Sequence, residues 1–205
     1  IWTEIKGKSI YNKSGEFLHV LLIARDISQE REQEEKLKYL AYHDVLTSLP
    51  NRRMFVEQLE LAIKRGDEEK SPFAILLLDI DNFKQINDSY GHEIGDKVII
   101  EFSSRISRVV GEHGLVARLG GDEFVILIKD FINEEQVINT ARQINKLVKQ
   151  KILIQHTRLE ITTSIGISIC NGETFTASQI LRYADEALYN VKRLGKDTFS
   201  IYGAK

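Results

Sequence analysis

Few cysteines, little net charge and no long hydrophobic runs distinguish this sequence, and each shortage excludes a class of protein. A single cysteine, Cys170, rules out an internal disulfide framework. The formal net charge of −2 at pH 7 gives no overall attraction to nucleic acid or to acidic membranes. The longest apolar stretches, such as FAILLL, are far shorter than the roughly 18 residues that would indicate a membrane span. Any anionic ligand must therefore be held by a few local Lys or Arg side chains.

The sequence also lacks a recognisable signal peptide and does not begin with Met. Because it opens within a strand-like pattern, we expect a piece of a longer protein, with any anchoring or targeting segments outside residues 1–205. For these residues we expect a cytoplasmic location, no nucleic-acid partner and no direct membrane contact.

The chain begins with two β-rich runs on either side of NKSG, residues 12–15, which is a turn signal typical of a hairpin. A lone hairpin is only marginally stable in water, so this one either packs on the rest of the chain or completes a domain whose first half is absent. A charged helix is predicted next, over about 28–42, with Ser28 as its N-cap. Its thin apolar stripe fits either a solvated connector or a parallel coiled coil between two protomers, and consists of Leu37, Leu40 and Ala41.

From residue 44 onward, helical and strand-like patterns are mixed. Strands are predicted in PFAILLLDID, LVARLGGDEFVILI (two strands joined at Gly120-Gly121), LEITTSIGISI and TFSIY. A turn followed by a helix is predicted in LTSLPNRRMFVEQLELAIKRG, and further helices are predicted in GHEIGDKVIIEFSSRISRVV, residues 133–151 and ASQILRYADEALYNVKRLG. Because adjacent strands can pair as hairpins, this order predicts a mixed or antiparallel sheet with helices packed against it.

Two of the strand-like segments carry acids at one end. AILLLDIDNF ends in Asp79 and Asp81, and the turn RLGGDEF presents Asp122 and Glu123. If the segments are neighbours in the sheet, Asp79 and Asp122 meet at one edge, where buried like charges raise each other's pKa unless a cation intervenes. Hard oxygen ligands without a nearby His or Cys cluster indicate Mg²⁺ or Mn²⁺ rather than zinc.

The alternative is that Asp122 and Glu123 are ordinary turn acids, because turn chemistry favours Gly and Asp. The acids at the end of the other strand weaken that interpretation. Gly120 and Gly121 would also let a backbone approach a ligand closely, so that a nucleotide could lie across the turn.

The motif GGDEF, Gly120–Phe124, resembles the signature of diguanylate cyclases. Three further segments resemble motifs of that family in the expected order: HDVLTSLPNR (43–52), DIDNFKQINDSYGHEIGD (79–96) and ADEALYNVKRLGKD (184–197). The resemblance covers about residues 43–205. It implies an α/β (α+β) fold similar to the palm of nucleotidyl cyclases and polymerases, with an antiparallel-rich central sheet surrounded by helices. The N-terminal β-hairpin and linker helix would precede it.

The resemblance also implies roles for individual residues. Two Mg²⁺ or Mn²⁺ ions per active site would be held by Asp79, the Ile80 carbonyl, Asp122 and Glu123. Glu123 would in addition assist deprotonation of the attacking 3′-hydroxyl. Asn87 and Asp96 would read guanine, since a carboxylate can accept from its N1–H and N2–H₂ edge. The phosphates would be bound by the Asn82-Phe83 backbone with Lys84, Lys192 and Lys196, close to Gly120 and Gly121.

The implied reaction condenses two GTP into cyclic di-GMP and releases two pyrophosphates. Because each domain holds one GTP, a homodimer with facing sites must form. The alternative is a catalytically inactive module that binds GTP or a protein partner. A product containing adenine is disfavoured by Asp96, which suits guanine.

Residues 1–28 resemble the C-terminal strands of a PAS sensor domain, though less closely than the rest resembles a cyclase. The expected organisation is a truncated PAS domain over 1–28, a signalling linker helix over 29–43 and the cyclase domain over 44–205. An upstream PAS sensor in the parent chain would then be a partner of the cyclase.

The chain departs from the family pattern at three points. Many members carry an Arg-x-x-Asp inhibitory site for the product, where this chain has Gly111-Glu112-His113-Gly114, so no such product site is expected. Lys196 and Asp197 stand where Arg and Asn are frequent, which keeps the charge but loses the bidentate fork. Ser48 stands where Gly is common, which is a minor change in a turn.

Overall fold

The computed structural model describes residues 1–154, 157–172 and 175–203. The chain divides into two compact units, Ile1–Ala41 and Tyr42–Lys205. In the first unit, strands β1 (Thr3–Tyr11) and β2 (Phe17–Asp26) pair antiparallel. The Asn12 side chain holds their turn by accepting the main-chain N–H groups of Ser14 and Glu16, each at 2.9 Å. The predicted hairpin is therefore present.

Helix α1 (Ser28–Tyr42) has the predicted length, but its start differs in detail. Ser28 is the first helical residue rather than the N-cap. Its hydroxyl accepts the main-chain N–H of Trp2 at 2.8 Å, because the hairpin brings the start of β1 beside the end of β2. The helix buries none of its residues.

The second unit contains a five-stranded sheet in the order β4-β5-β3-β8-β9. Its strands are β3 (Phe73–Ile80), β4 (Gly114–Gly120), β5 (Glu123–Lys129), β8 (Thr163–Cys170) and β9 (Phe199–Ile201). All neighbouring pairs are antiparallel except β8 with β9. A separate short hairpin consists of β6 (Ile152–Ile154) and β7 (Thr157–Leu159). The expected antiparallel-rich sheet is confirmed.

Helices cover both faces of this sheet. They are α2 (Arg52–Glu69), α3 (Phe83–Tyr90), α4 (His92–Val110), α5 (Glu134–Val148) and α6 (Ala177–Arg193). On central strand β3, Leu76 and Leu78 join one core with α4 and α5, whereas Phe73 and Ile75 join another with α2 and α6. Since both faces are buried, β3 reads as a continuous apolar run rather than as an alternating one.

The helix predicted over 133–151 ends earlier, at Val148. The buried guanidinium of Arg105 on α4 donates to the carbonyls of Leu147 (3.2 Å) and Val148 (2.9 Å), as well as to those of Gln150 and Lys151. These bonds satisfy acceptors that a helix leaves open at its C-terminus, so the chain can turn there into β6. Within the described ranges, no helix has both the length and the apolar character needed to cross a bilayer.

Candidate active site

The two acid-bearing segments are neighbours in the sheet. Asp79, one residue before the end of β3, is paired in register with Glu123 at the start of β5. On its other side Asp79 is paired with Ser164 of β8. The next residue, Ile80, donates its N–H to the Asp122 carbonyl at 3.4 Å. Asp79, Asp122 and Glu123 are thus gathered at one edge by ordinary antiparallel pairing.

The Asp79 carboxylate is largely buried, with 16% of its side chain exposed. Lys192, in the last turn of α6, places its Nζ 2.7 Å from Asp79 Oδ2. Burial raises the pKa of the Asp79 carboxyl above its ordinary value, and the nearby charges of Asp122 and Asp81 add to the rise. Lys192 opposes it through its hydrogen bond and its charge. The site therefore favours a cation beside Asp79.

This environment fits a divalent metal ion in its donor chemistry. The available donors are carboxylate oxygens, and Mg²⁺ commonly takes one or two carboxylates and completes its shell with water and phosphate oxygens. Among the described residues, no three His, Cys, Asp or Glu side chains converge as a complete metal cage. The carboxylates of the described residues therefore supply only part of a metal ion's coordination shell.

Asp81 is only two residues from Asp79 but is turned into the protein, with 4% exposure. Its carboxylate accepts from the hydroxyls of Thr162 (2.6 Å) and Ser164 (2.7 Å) and from the main-chain N–H of Asp197 (3.1 Å). It anchors the loop that carries Lys196, whose Nζ donates to Asn82 Oδ1 at 2.7 Å. Sequence reasoning did not identify this anchoring role.

The glycine turn between β4 and β5 requires its glycines for their backbone conformation. Gly120 has φ 144° and Gly121 has φ 54°, both in the region that L side chains avoid, while a Cβ at either position would meet only open space. The Arg118 guanidinium donates to the Gly121 carbonyl from Nε at 3.1 Å and from Nη2 at 2.8 Å. Arg118 therefore fixes the turn through the Gly121 carbonyl, while the space beside the two glycine Cα atoms stays open.

Arg118 also binds Asp44, the first residue of the predicted cyclase domain. Its Nη1 lies 2.9 Å from Asp44 Oδ1, which further accepts from the N–H (2.9 Å) and hydroxyl (2.7 Å) of Thr47. Burial alone would raise the pKa of Asp44, but the hydrogen bonds from Thr47 and Arg118 outweigh it and hold the pKa below its ordinary value. The sequence did not predict that Arg118 binds the glycine turn or that Asp44 binds Arg118, because Arg118 and Asp44 are 74 residues apart in the chain.

Helices α3 and α4 bring Asn87 and Asp96 to neighbouring positions. Asn87 Oδ1 is buried and has no hydrogen-bond partner in the part of the chain that the structure describes. A Cβ on Gly95 would lie 1.9 Å from this oxygen, so glycine makes the space in which the amide lies. Asp96 follows directly and is exposed. An unpaired buried acceptor beside an exposed carboxylate suits a ligand edge that donates several hydrogen bonds.

The remaining predicted residues are placed at the start of α3. Asn82 precedes this helix with a left-handed backbone (φ 59°), the Phe83 ring is buried in the core, and Lys84 is exposed in the first turn. The first N–H groups of a helix lack acceptors within it, which makes such a terminus favourable for anionic oxygens. Lys196, bound to Asn82, adds a cation beside it.

The segment that replaces the Arg-x-x-Asp motif forms a short 3₁₀ turn, Gly111–His113, between α4 and β4. Gly114 follows it, and a Cβ there would lie 2.7 Å from the carbonyl oxygen of Leu127. An aspartate at this position would therefore displace the backbone of β5. The backbone itself explains why glycine occupies position 114.

Comparison with known proteins agrees with this geometry. The family described as "Diguanylate cyclase, GGDEF domain" matches residues 41–198. Diguanylate cyclase TpbB of Pseudomonas aeruginosa is 36% identical over 190 residues, which are 91% of this chain and 44% of TpbB. A diguanylate cyclase of Vibrio cholerae is 30% identical over 202 residues, 98% of this chain and 62% of that protein. The chain spans less than two thirds of both relatives.

Solved structures give the same result. The coiled coil and GGDEF domain of DgcB from Caulobacter crescentus, in complex with c-di-GMP, superposes with a TM-score of 0.78 at 31% identity, covering 85% of this chain and 93% of that one. A TpbB fragment comprising only the GGDEF domain gives a TM-score of 0.75 at 35% identity, covering 78% and 94%. The chain therefore belongs to the GGDEF-domain family of diguanylate cyclases.

Proposed function

We propose that this domain condenses two molecules of GTP into cyclic di-GMP, with release of two pyrophosphates, at the edge formed by Asp79, Asp122 and Glu123. The observation that carries the proposal is the register of Asp79 with Glu123, which brings an exposed carboxylate beside a largely buried one where a cation is favoured. Two bound Mg²⁺ or Mn²⁺ ions, held by these carboxylates and the Ile80 carbonyl, would stabilise charge on the reacting phosphate and lower the pKa of the attacking hydroxyl.

The chain's own residues bind and orient the nucleotide. Asn87 and Asp96 receive the hydrogen-bonding edge of guanine, because the unpaired Asn87 oxygen and the exposed Asp96 carboxylate are both acceptors. The first N–H groups of α3 face the phosphates, and Lys84, Lys192 and Lys196 supply the positive charge that the overall composition lacks. Glu123 accepts the proton of the attacking 3′-hydroxyl.

One domain holds one GTP, so the reaction needs two domains with their sites facing each other across a two-fold axis. In that arrangement the 3′-hydroxyl on one protomer reaches the α-phosphate on the other, and catalysis depends on positioning and on electrostatics. We assign the activity to the cytoplasm, where GTP is available.

We further assign residues 1–28 to the end of a PAS sensor, 29–43 to a signalling linker helix and 44–205 to the cyclase domain. The hairpin supports this assignment, because both faces of β2 expose apolar side chains: Leu18, Val20, Leu21, Leu22 and Ile23 are 47–66% exposed. A sheet of a preceding sensor would cover such faces.

The test is formation of cyclic di-GMP from GTP and Mg²⁺, followed by chromatography over a range of protein concentrations. We expect Asp122→Asn to lower the rate at least about 100-fold, because the variant loses a carboxylate of the metal site. Glu112→Gln, an exposed acid outside the site, is the matched control and should leave the rate unchanged. GTP binding without product at any concentration would favour the inactive binding module, and product from ATP alone would contradict guanine recognition.

A further inference from the structure

We propose that Lys192 is a resident counter-ion of Asp79 that must leave this carboxylate before a divalent metal can bind it, so that metal and nucleotide enter the site together. This inference rests on the proposed cyclase function and adds an order to its binding events. Its starting point is the contact of 2.7 Å between Lys192 Nζ and Asp79 Oδ2.

The contact answers a specific electrostatic need. Asp79 is largely desolvated and faces the charges of Asp122 and Asp81. The Asp81 carboxylate is stabilised by three hydrogen-bond donors, whereas Asp79 has a cation as its side-chain partner. An ionised buried carboxylate without such a partner is strongly unfavourable, so a cation beside Asp79 is favoured.

An ammonium and a metal ion exclude each other at the same carboxylate. A Mg²⁺ ion coordinates oxygen at about 2.1 Å, and this would place it within a few ångströms of an ammonium 2.7 Å from Asp79 Oδ2. Two cations so close in a partly buried site repel strongly, because the low effective dielectric screens them poorly. Metal binding at Asp79 therefore displaces Lys192.

The nucleotide gives the displaced lysine its next partner. Lys192 is in the last turn of α6 with 37% of its side chain exposed, so its flexible stem can swing away from Asp79 without moving the helix. A triphosphate bound beside Asn82 and Lys196 supplies new anionic oxygens. When nucleotide is present, the metal ion pairs with Asp79 and the displaced Lys192 pairs with a phosphate. When nucleotide is absent, the metal ion must displace Lys192 although no phosphate is there to bind it. Metal and nucleotide therefore promote each other's binding, and the effect is reciprocal.

The alternative is that the pair is only a structural tether between α6 and β3, which are 113 residues apart at this contact. A tether predicts that removing Lys192 lowers stability and does nothing for metal affinity. A counter-ion role predicts that removing Lys192 raises metal affinity, because Asp79 is then left without the competing cation.

The deciding experiment measures Mn²⁺ binding to the full 205-residue chain without nucleotide, from the electron paramagnetic resonance signal of free Mn²⁺. We expect Lys192→Met to bind Mn²⁺ about tenfold more tightly than wild type, equivalent to ~1.4 kcal/mol of lost competition. Lys196→Met is the matched control: it removes an equal charge, but that ammonium contacts an amide oxygen of Asn82, so Mn²⁺ affinity should stay at the wild-type value.

A second measurement compares GTP affinity with EDTA present and with Mn²⁺ present. In EDTA, Lys192→Met should bind GTP more weakly than wild type does. The gain in GTP affinity on adding Mn²⁺ should be smaller in Lys192→Met than in wild type. Equal Mn²⁺ affinity in wild type and Lys192→Met, an equal rise in both lysine variants, or no Mn²⁺ binding in any of them would overturn the proposal. Since these readouts do not involve turnover, tighter Mn²⁺ binding in Lys192→Met would support it even if no cyclic di-GMP were formed.

Discussion

Asp79 and Asp81 show how far apart two acids of one short motif can be in function. Strand β3 ends at Ile80, so the alternation of a strand no longer applies at position 81. Asp79 faces Glu123 and a lysine at the open edge, whereas Asp81 accepts three hydrogen bonds inside the domain. The sequence predicts that acids collect at the end of this strand, but their directions depend on where the strand stops and on the donors of β8.

The first prediction concerns the effect of the Asp79 charge on the free energy of unfolding. Its folded-state pKa lies above the ordinary value of 3.8, so the ionised carboxylate lowers the free energy of unfolding at neutral pH. That loss disappears as the pH falls through the folded-state pKa. Asp79→Asn should therefore raise Tm at pH 7, with a difference from wild type that closes below pH 3.8, while cyclic di-GMP formation falls at least about 100-fold.

Thermal unfolding followed by circular dichroism between pH 3 and pH 8 checks this prediction, with Glu112→Gln as the exposed-acid control. A lower Tm for Asp79→Asn at pH 7 would show that the Lys192 pair outweighs the burial of the charge.

At the scale of elements, the glycine turn depends on Arg118. Its guanidinium binds the Gly121 carbonyl through two N–H groups and the Asp44 carboxylate through a third, and the compact ammonium of a lysine lacks this fixed planar arrangement of donors. Arg118→Lys should lower kcat about 10- to 100-fold, because a shift of the turn by about 1 Å misplaces the neighbouring acids. Steady-state kinetics with GTP, beside Arg108→Lys on an exposed part of α4, measures the effect, and unchanged kcat would remove Arg118 from any positioning role.

The end of α5 depends on a second arginine. Removing Arg105 leaves the carbonyls of the last helical turn without their buried donor. Arg105→Met should lower the free energy of unfolding by about 3 kcal/mol, whereas Arg142→Met, which breaks an exposed pair with Glu135, should change it by about 0.5 kcal/mol or less. Urea denaturation of both variants separates the two cases, and equal effects would contradict the capping role.

The elements that the sequence did not reveal are short. The hairpin, α1 and the long strands were predictable from turn residues and apolar patterns, and so were the long helices of the second unit. Helix α3 has eight residues and starts after a left-handed Asn82, while β6 and β7 have three residues each. Buried side chains such as Ile152 and Leu159 hold this small hairpin against the domain. Such elements owe their structure to tertiary packing, which leaves little local pattern.

At the scale of the whole molecule, the two units differ in how much of their apolar surface is buried. The unit from Tyr42 onward contains its own core and the complete set of proposed site residues. Helix α1 has no buried residue, and its apolar side chains Leu37 and Leu40, which are three residues apart on one face, are 68% and 41% exposed. An apolar stripe on an otherwise charged helix suits a parallel pairing with a second copy. Such pairing would raise the local concentration of one cyclase domain around the other.

Leu37→Asp tests this link between the helix and catalysis. A charge in the seam of a coiled coil opposes pairing, so the rate per protein should fall at least about tenfold at low protein concentration and recover as concentration rises. Lys38→Gln lowers the net charge by the same one unit at an exposed position on the other side of α1 and is the matched control. Cyclic di-GMP formation, measured beside sedimentation of each variant, distinguishes the outcomes. A loss that is independent of concentration, or one that Lys38→Gln shares, would mean that α1 does not bring two domains together through this stripe.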